Sequence, residues 1–361
     1  MQTLFCKLSC SHHLPLIQAL MTSLQRTFRA FRHYNFRLYF GGQFISLIGS
    51  WAHSTALSWL IWRMTQSSLL LGVIGFSSQF PILLLGLFGG VIADRWNRHR
   101  ILLVAQTLAM IASFLLVFLM VTHKLNLWNV AIISFFLGIV FAFEFPARLT
   151  FLMDVVGRGD LLNAISLHSA MFHISRMIGP VAAGFIVAWK DESLCFLFDG
   201  FTFLIFIVTL LMMRRSDLMP MEIKQEQKHV MESICEGIRY AWRDPTTRLE
   251  IFLVIIMGSA GFSFIALMPV FADHIYGGSS IEFGGLMAAS GMGAMVSALS
   301  LARREHSSHL LSVATKSMIL FSLLLLVFSQ IKILWMGISL LFILGFFMNR
   351  VVAHQKLRIV N

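Results

Sequence analysis

The sequence predicts an all-α membrane protein with about ten transmembrane helices, and three observations carry that prediction. Only 12% of the 361 residues are charged while 57% are hydrophobic, whereas about a quarter of a water-soluble domain is charged. The apolar residues lie in continuous runs of about 20, the helix length that crosses ~30 Å of hydrocarbon. Between the runs, Lys and Arg fall almost entirely in every second connection, the asymmetry that orients membrane helices.

In chain order the runs cover 38–62, 69–93, 101–122, 127–146, 161–188, 194–213, 249–272, 281–302, 311–330 and 333–350. Lipid leaves a spanning chain only helices or a closed barrel, and unbroken apolar runs without strand alternation select helices. A cytoplasmic N-terminus places Arg26, Arg29, Arg32 and Arg37, then Arg95, Arg98 and Arg100, then Arg148 and Arg158 on the cytoplasmic side. Arg303, Arg304, Arg350, Lys356 and Arg358 follow there, and the other face receives only Arg63, Lys124, Lys190 and Lys332.

These runs divide the chain into a cytoplasmic segment 1–37, a six-helix bundle 38–213, a polar linker 214–248, a four-helix bundle 249–350 and a basic tail 351–361. Within the linker, HVMESICEGIRYAWRDP reads either as an amphipathic helix on the membrane surface or as a plain connection between bundles.

The net charge of +11 is scattered between apolar runs rather than gathered on one face, which argues against nucleic acid as a partner. The lipid bilayer is the partner that composition demands. Four scattered cysteines make no disulfide framework, and Cys6, Cys10, His12 and His13 fit no zinc spacing. Nucleophile, nucleotide-loop and metalloprotease signatures are absent from the sequence, so neither an enzyme nor a cofactor is expected.

Polar groups at membrane depth face protein or a wet cavity. Span one carries Gln43, Ser46, Ser50, His53, Ser54 and Ser58, and span five carries Asn163, Ser166, Ser169, His173 and Arg176, both in steps of three and four that gather on one helix face. Such stripes line an aqueous substrate cavity or join packed helices, and Arg176 favours the cavity because a buried cation needs a partner or water. Asp199, over a turn inside span six, is either a proton carrier or a hydrogen-bonding anchor. Glu144 sits one turn before Arg148 near the end of span four, where a local pair is the simple explanation.

GGVIADRWNRHR at 89–100 resembles the signature between helices two and three of the major facilitator superfamily. Gly90, Asp94, Arg95 and Arg98 match; Asn97 replaces a Gly and is tolerated if the turn is left-handed. His99 replaces a cation, with Arg100 following. SRMIGPVAAG resembles that superfamily's antiporter motif through Gly179, Pro180 and Gly184, with Ser175 as a small substitute. FRHYNFRLYFGGQFISLIGSW, FEFPARLTFLMDVV and DLLNAISLHSAMFHISRMIGP are similar to the efflux branch that includes siderophore exporters.

The resemblance implies two six-helix bundles that rock about a central site in a bacterial inner membrane, exporting a small amphipathic molecule such as a siderophore or drug, with protons as a coupling partner. A lysolipid carrier and a non-transporting remnant are the alternatives. It also implies a cytoplasmic gate of Asp94, Arg95, Arg98, Arg100, Glu144 and Arg148, in which Arg98 pairs with Glu144 and Asp94 faces helix eleven. Ten spans instead of twelve imply a truncated product or a ten-helix variant.

Overall fold

A computed structural model of the chain describes residues 28–219, 263–302 and 310–360, with scattered positions between 239 and 258. Most of the linker segment read as a surface helix, most of span seven before 263 and the Cys6–His13 cluster lie outside the described residues. Helix α1 is Tyr34–Thr65, α2 is Ser68–Arg95 and α3 is Arg98–Val121. The segment Leu127–Trp189 is hydrogen-bonded as one run but breaks at Gly157, and we number its arms α4 (127–156) and α5 (158–189). Helix α6 is Glu192–Leu211. Short turns at Ser263–Ala266, Met268–Val270 and Phe271–Ile275 lead into α7, Ser280–Ala302; α8 is Leu310–Gln330 and α9 is Leu334–Val360.

Among the described residues there is no strand. Seven helices, counting Leu127–Trp189 once, are long and apolar enough to cross a membrane, and Thr315–Gln330 is a shorter apolar helix. Helix α4 runs to residue 156, past the end at 146 that hydropathy alone suggests, because ARLTFLMDVV continues the helical pattern until Gly157. Helix α9 likewise continues through Val360, across the segment read as a tail.

Polar turn residues start the next helix. Ser67 Oγ accepts from Leu70 N, Asn97 Oδ1 from Arg100 N, Asn126 Oδ1 from Asn129 N and Asp191 Oδ1 from Ser193 N, each satisfying a backbone donor that the first helical turn leaves free. Asn97 has φ −66°, so it replaces the signature's glycine as a helix cap and not as a left-handed turn. Gly157 does need a glycine: its φ of 69° and ψ of 175° belong to a region open essentially to Gly alone. Gly157→Ala is expected to cost about 1–3 kcal/mol, read as a lower melting temperature of the detergent-purified chain; an unchanged temperature would contradict the assignment.

Apolar clusters fill both bundles. Phe36, Tyr39, Leu102, Phe151 and Phe206 interlock within the first bundle, and Met268, Phe283, Leu286, Phe328 and Leu341 within the second. Large apolar side chains such as Leu69, Leu83, Ile132 and Leu326 point outward, the inverse of a water-soluble surface. Trp128, Trp189 and Trp335 are exposed at the same end of the molecule, where amphipathic rings favour a membrane interface. We call that the tryptophan end, and the end carrying Arg29, Arg95, Arg98 and Arg148 the basic end.

Candidate functional site

At the basic end the Gly89–Arg100 stretch folds around a buried ion pair. Arg98 Nη1 lies 2.6 Å from Asp154 Oδ1 near the end of α4, and its Nε donates to the Ala93 carbonyl at 3.1 Å. Arg98 therefore pairs with Asp154 and not with Glu144. Glu144, fully buried, bonds instead to Arg148 one turn on and accepts from Gln106 Nε2 at 2.6 Å. His99 turns inward, its ring nitrogen 2.8 Å from the Leu210 carbonyl, which explains why this position needs no permanent cation. Asp94 stays exposed on the wall of a recess of about 260 Å³ shared with Arg98, Arg100, Asp154 and Arg215.

The same end pins the N-terminal segment. Asp160, at the start of α5, binds Arg29, Arg32 and His33 at 2.9, 2.7 and 2.8 Å, and Asn163 Oδ1 accepts from Ala30 N at 2.9 Å. Breaking this clasp with Asp160→Ala leaves three basic groups crowded without their anion. Its expected result is faster proteolysis of the chain before Tyr34, and an unchanged cleavage rate would contradict the clasp.

Inside the first bundle, α1, α3 and α6 bring three polar side chains together. His53 Nδ1 lies 2.8 Å from Asp199 Oδ2, and Ser113 Oγ donates to the same oxygen at 2.8 Å. All three residues are buried. Gly49 makes this approach possible: a Cβ there would stand 3.0 Å from Asp199 Oδ1 and closer still to Thr202. A cavity of about 170 Å³ opens beside the cluster between α1, α2, α4 and α6, lined by Ser50, His53, Ser78, Gln79, Ser134 and Asp199 among others.

The two bundles meet along α5 and α7 with backbones almost touching. A Cβ on Gly184 would stand 2.7 Å from the Ser280 carbonyl, and one on Gly284 2.5 Å from that of Pro180. Small residues permit such close crossing in membranes, where dispersion and hydrogen bonds replace the hydrophobic drive. Ser280 Oγ adds a bond to the Gly184 carbonyl at 3.0 Å. The tryptophan end is closed further by Trp62 Nε1 donating to Asp273 Oδ2 at 2.8 Å, and by Gln66 with His274 at 3.3 Å.

Deeper along this seam, Arg176 is buried on α5 with its guanidinium 5.6 Å from the Trp51 ring and Nη2 3.4 Å from Ser290 Oγ. Its Nε has no hydrogen-bond partner, and among the described residues no carboxylate pairs with it. A cation in this position can hold an anion.

The helices, the paired bundles and the signature turn thus stand together. A profile of the transmembrane secretion effector family matches residues 25–353. The chain belongs to that family. It is 26% identical over 339 residues to the staphyloferrin A transporter of Staphylococcus aureus, covering 90% of this chain and 84% of that protein. It is also 26% identical over 280 residues to the enterobactin exporter EntS of Shigella boydii, covering 76% of this chain and 65% of the exporter. Among solved structures, a bacterial homologue of the human lysosomal transporter Spinster, inward-facing and unoccupied, superposes with a TM-score of 0.63 at 15% identity over 90% of this chain and 74% of that one. A D-xylose–proton symporter superposes with a TM-score of 0.62 at 13% identity over 88% of this chain and 80% of that one. This secretion effector is therefore a multi-pass membrane transporter of the major facilitator fold, with siderophore transporters among its relatives.

The structure scatters the transporter's expected site residues over three places. His53 and Ser50 line the cavity, joined by Asp199. Gln43, on the same helix, is buried with its Oε1 unbonded. Arg176 and His173 are buried on α5, while Ser169 is exposed and Asn163 serves the N-terminal clasp. In the antiporter-like motif, Gly179 packs against Trp51 of α1 and Ser175 is buried, whereas Pro180 and Gly184 face α7. In the signature, the close helix approach falls at Gly89 against Ala142 of α4, and Gly90 has open space around it. Sequence reasoning missed Asp154, Ser113 and the Trp62–Asp273 contact. The one available signal was Asp154, a carboxylate in an apolar run that Gly157 ends.

Proposed function

We propose that this transporter exports a small anionic molecule of the siderophore class from the cytoplasm across a bacterial inner membrane, in exchange for protons, by alternating access. The observation that carries the substrate class is Arg176: a buried cation at the seam between bundles, with no protein carboxylate pairing it among the described residues. Carboxylate or catecholate oxygens are the natural complement of a guanidinium, and Trp51 offers a face on which a ring or the cation itself stacks. The named activities of the staphyloferrin A and enterobactin relatives support this class. The bias of Arg and Lys supports a cytoplasmic basic end. Contacts that close the tryptophan end support a state shut at that end. Asp94, Arg95 and the Arg98–Asp154 pair are then the cytoplasmic gate elements, moving with the first bundle as it rocks.

The test is uptake of labelled iron-free citrate-type and catecholate-type siderophores into inside-out vesicles under an imposed proton gradient. Gradient-dependent uptake of one anionic class is expected, and Arg176→Gln is expected to lower apparent affinity by roughly ten- to a hundredfold, the loss of about 1.5–3 kcal/mol from a charged hydrogen bond. Uptake of lysophospholipid in place of these anions, or an Arg176→Gln chain with wild-type affinity, would overturn the substrate class. No flux from any compound would overturn the transport reading.

A further inference from the structure

We infer that His53, Asp199 and Ser113 form one proton-holding unit, the place where this transporter takes up and releases the proton it exchanges; the inference rests on the exchange reading above. Asp199 Oδ2 is doubly engaged, by Ser113 Oγ and by His53 Nδ1, each at 2.8 Å. That arrangement fixes the imidazole by its Nδ1 side and leaves His53 Nε2 on the far side, buried and without a hydrogen-bond partner. Asp199 Oδ1 is likewise buried and unpartnered. The pair therefore has two open positions, and the cavity of about 170 Å³ that both residues line brings water-sized space to it.

Charge gives the unit its function. With the carboxylate ionised and the imidazole neutral, the bundle encloses one net negative charge. Ser50 and Ser54 on α1, Ser78 and Gln79 on α2, Ser134 on α4 and Ser113 on α3 face it, and none of them can neutralise it. On α6 itself, Cys195 sits one turn earlier with its thiol towards the Ala183 carbonyl, and Glu192 is already occupied by Arg63. A proton from water added to His53 Nε2 makes an imidazolium that donates through Nδ1 to the carboxylate, and the unit becomes net neutral. A dry cavity favours that loaded form, because an unbalanced buried charge is costly. Hydration of the cavity favours return of the proton to water. Rocking of the bundles, which changes hydration, thereby loads and unloads the unit.

The experiment is infrared difference spectroscopy of the full chain in lipid nanodiscs, between mildly acidic and mildly alkaline buffer. The wild type is expected to show a buried protonation change with imidazole and carboxylate features. Asp199→Asn removes the perturbed carboxylate band, His53→Gln lowers the imidazole signal by the share of one of the chain's 13 histidines and also moves that carboxylate band, and Asp217→Asn, at an exposed position on the basic end, leaves both as they are. Monodisperse elution of each variant checks folding, and Ser113→Ala, the mildest change, is expected to shift the carboxylate band without removing it. Identical spectra from wild type, Asp199→Asn and His53→Gln would overturn the inference. This readout needs no substrate, so a failure of the siderophore reading leaves it intact. Once a substrate is in hand, gradient-driven flux is expected to be lost in Asp199→Asn, and undiminished gradient-driven flux would overturn the coupling role.

Discussion

Asp154→Ala is expected to destabilise this transporter by about 3–5 kcal/mol, the cost of leaving one member of a buried ion pair without the other. Arg98 and Asp154 line the recess but are each only 9% exposed in their side chains, so water replaces a lost partner only in part. Arg98 also bonds to the Ala93 carbonyl at the end of α2, and loss of its anion loosens the turn that carries Asp94 and Arg95. Thermal unfolding of detergent-purified protein measures the effect. The double variant Arg98→Met with Asp154→Leu is expected to recover most of the loss, because an apolar pair of similar volume replaces two charges without burying either alone. A loss below about 1 kcal/mol, the range of exposed ion pairs, would show that the pair is solvated.

Gly184→Leu is expected to act on the conformational equilibrium. No side chain fits between Gly184 and the Ser280 carbonyl while the tryptophan end is closed. Overpacking of about 1–3 kcal/mol would fall on that closed state alone. The open state would gain a corresponding factor of about 5–150 in population. Transport is expected to fall because the cycle needs both states. The distance between spin labels at Ser68 and Ile275 reads the shift, in a background with the native cysteines replaced. A distance distribution equal to the parent's would mean that the α5–α7 crossing does not close this end.

Helices were legible from the sequence because hydropathy is a property of the chain read along its length. The membrane-length helices follow from it, and the signature turn came from its resemblance. Pairings were not legible, because they depend on which helix faces meet and at what depth. The resemblance implied Glu144 as the partner of Arg98, the acidic residue inside the span that hydropathy ends at 146. Ten more helical residues carry Asp154 to the level of Arg98, and Glu144 sits deeper beside Gln106. His53 and Asp199 each stood out as a polar residue in an apolar run, but nothing in one dimension says that Gly49 and Thr202 let α1 and α6 cross there. Asn163 shared the helical spacing of His173 and Arg176, yet its place at the start of α5 puts it beside Ala30 in the N-terminal clasp. Spacing selects a helix face and leaves depth open.

Alternating access requires the tryptophan end to open and close. Ser68 and Ile275 are exposed, lie on opposite bundles and flank the Trp62–Asp273 contact. Spin labels at these two positions, in a background without native cysteines, report the distance across that end by double electron–electron resonance in nanodiscs. Two distance populations are expected, with their ratio shifted by pH and by added staphyloferrin A or enterobactin, and with Trp62→Ala enriching the longer one. A single distance, unmoved by pH, by either siderophore and by Trp62→Ala, would contradict alternating access in this chain.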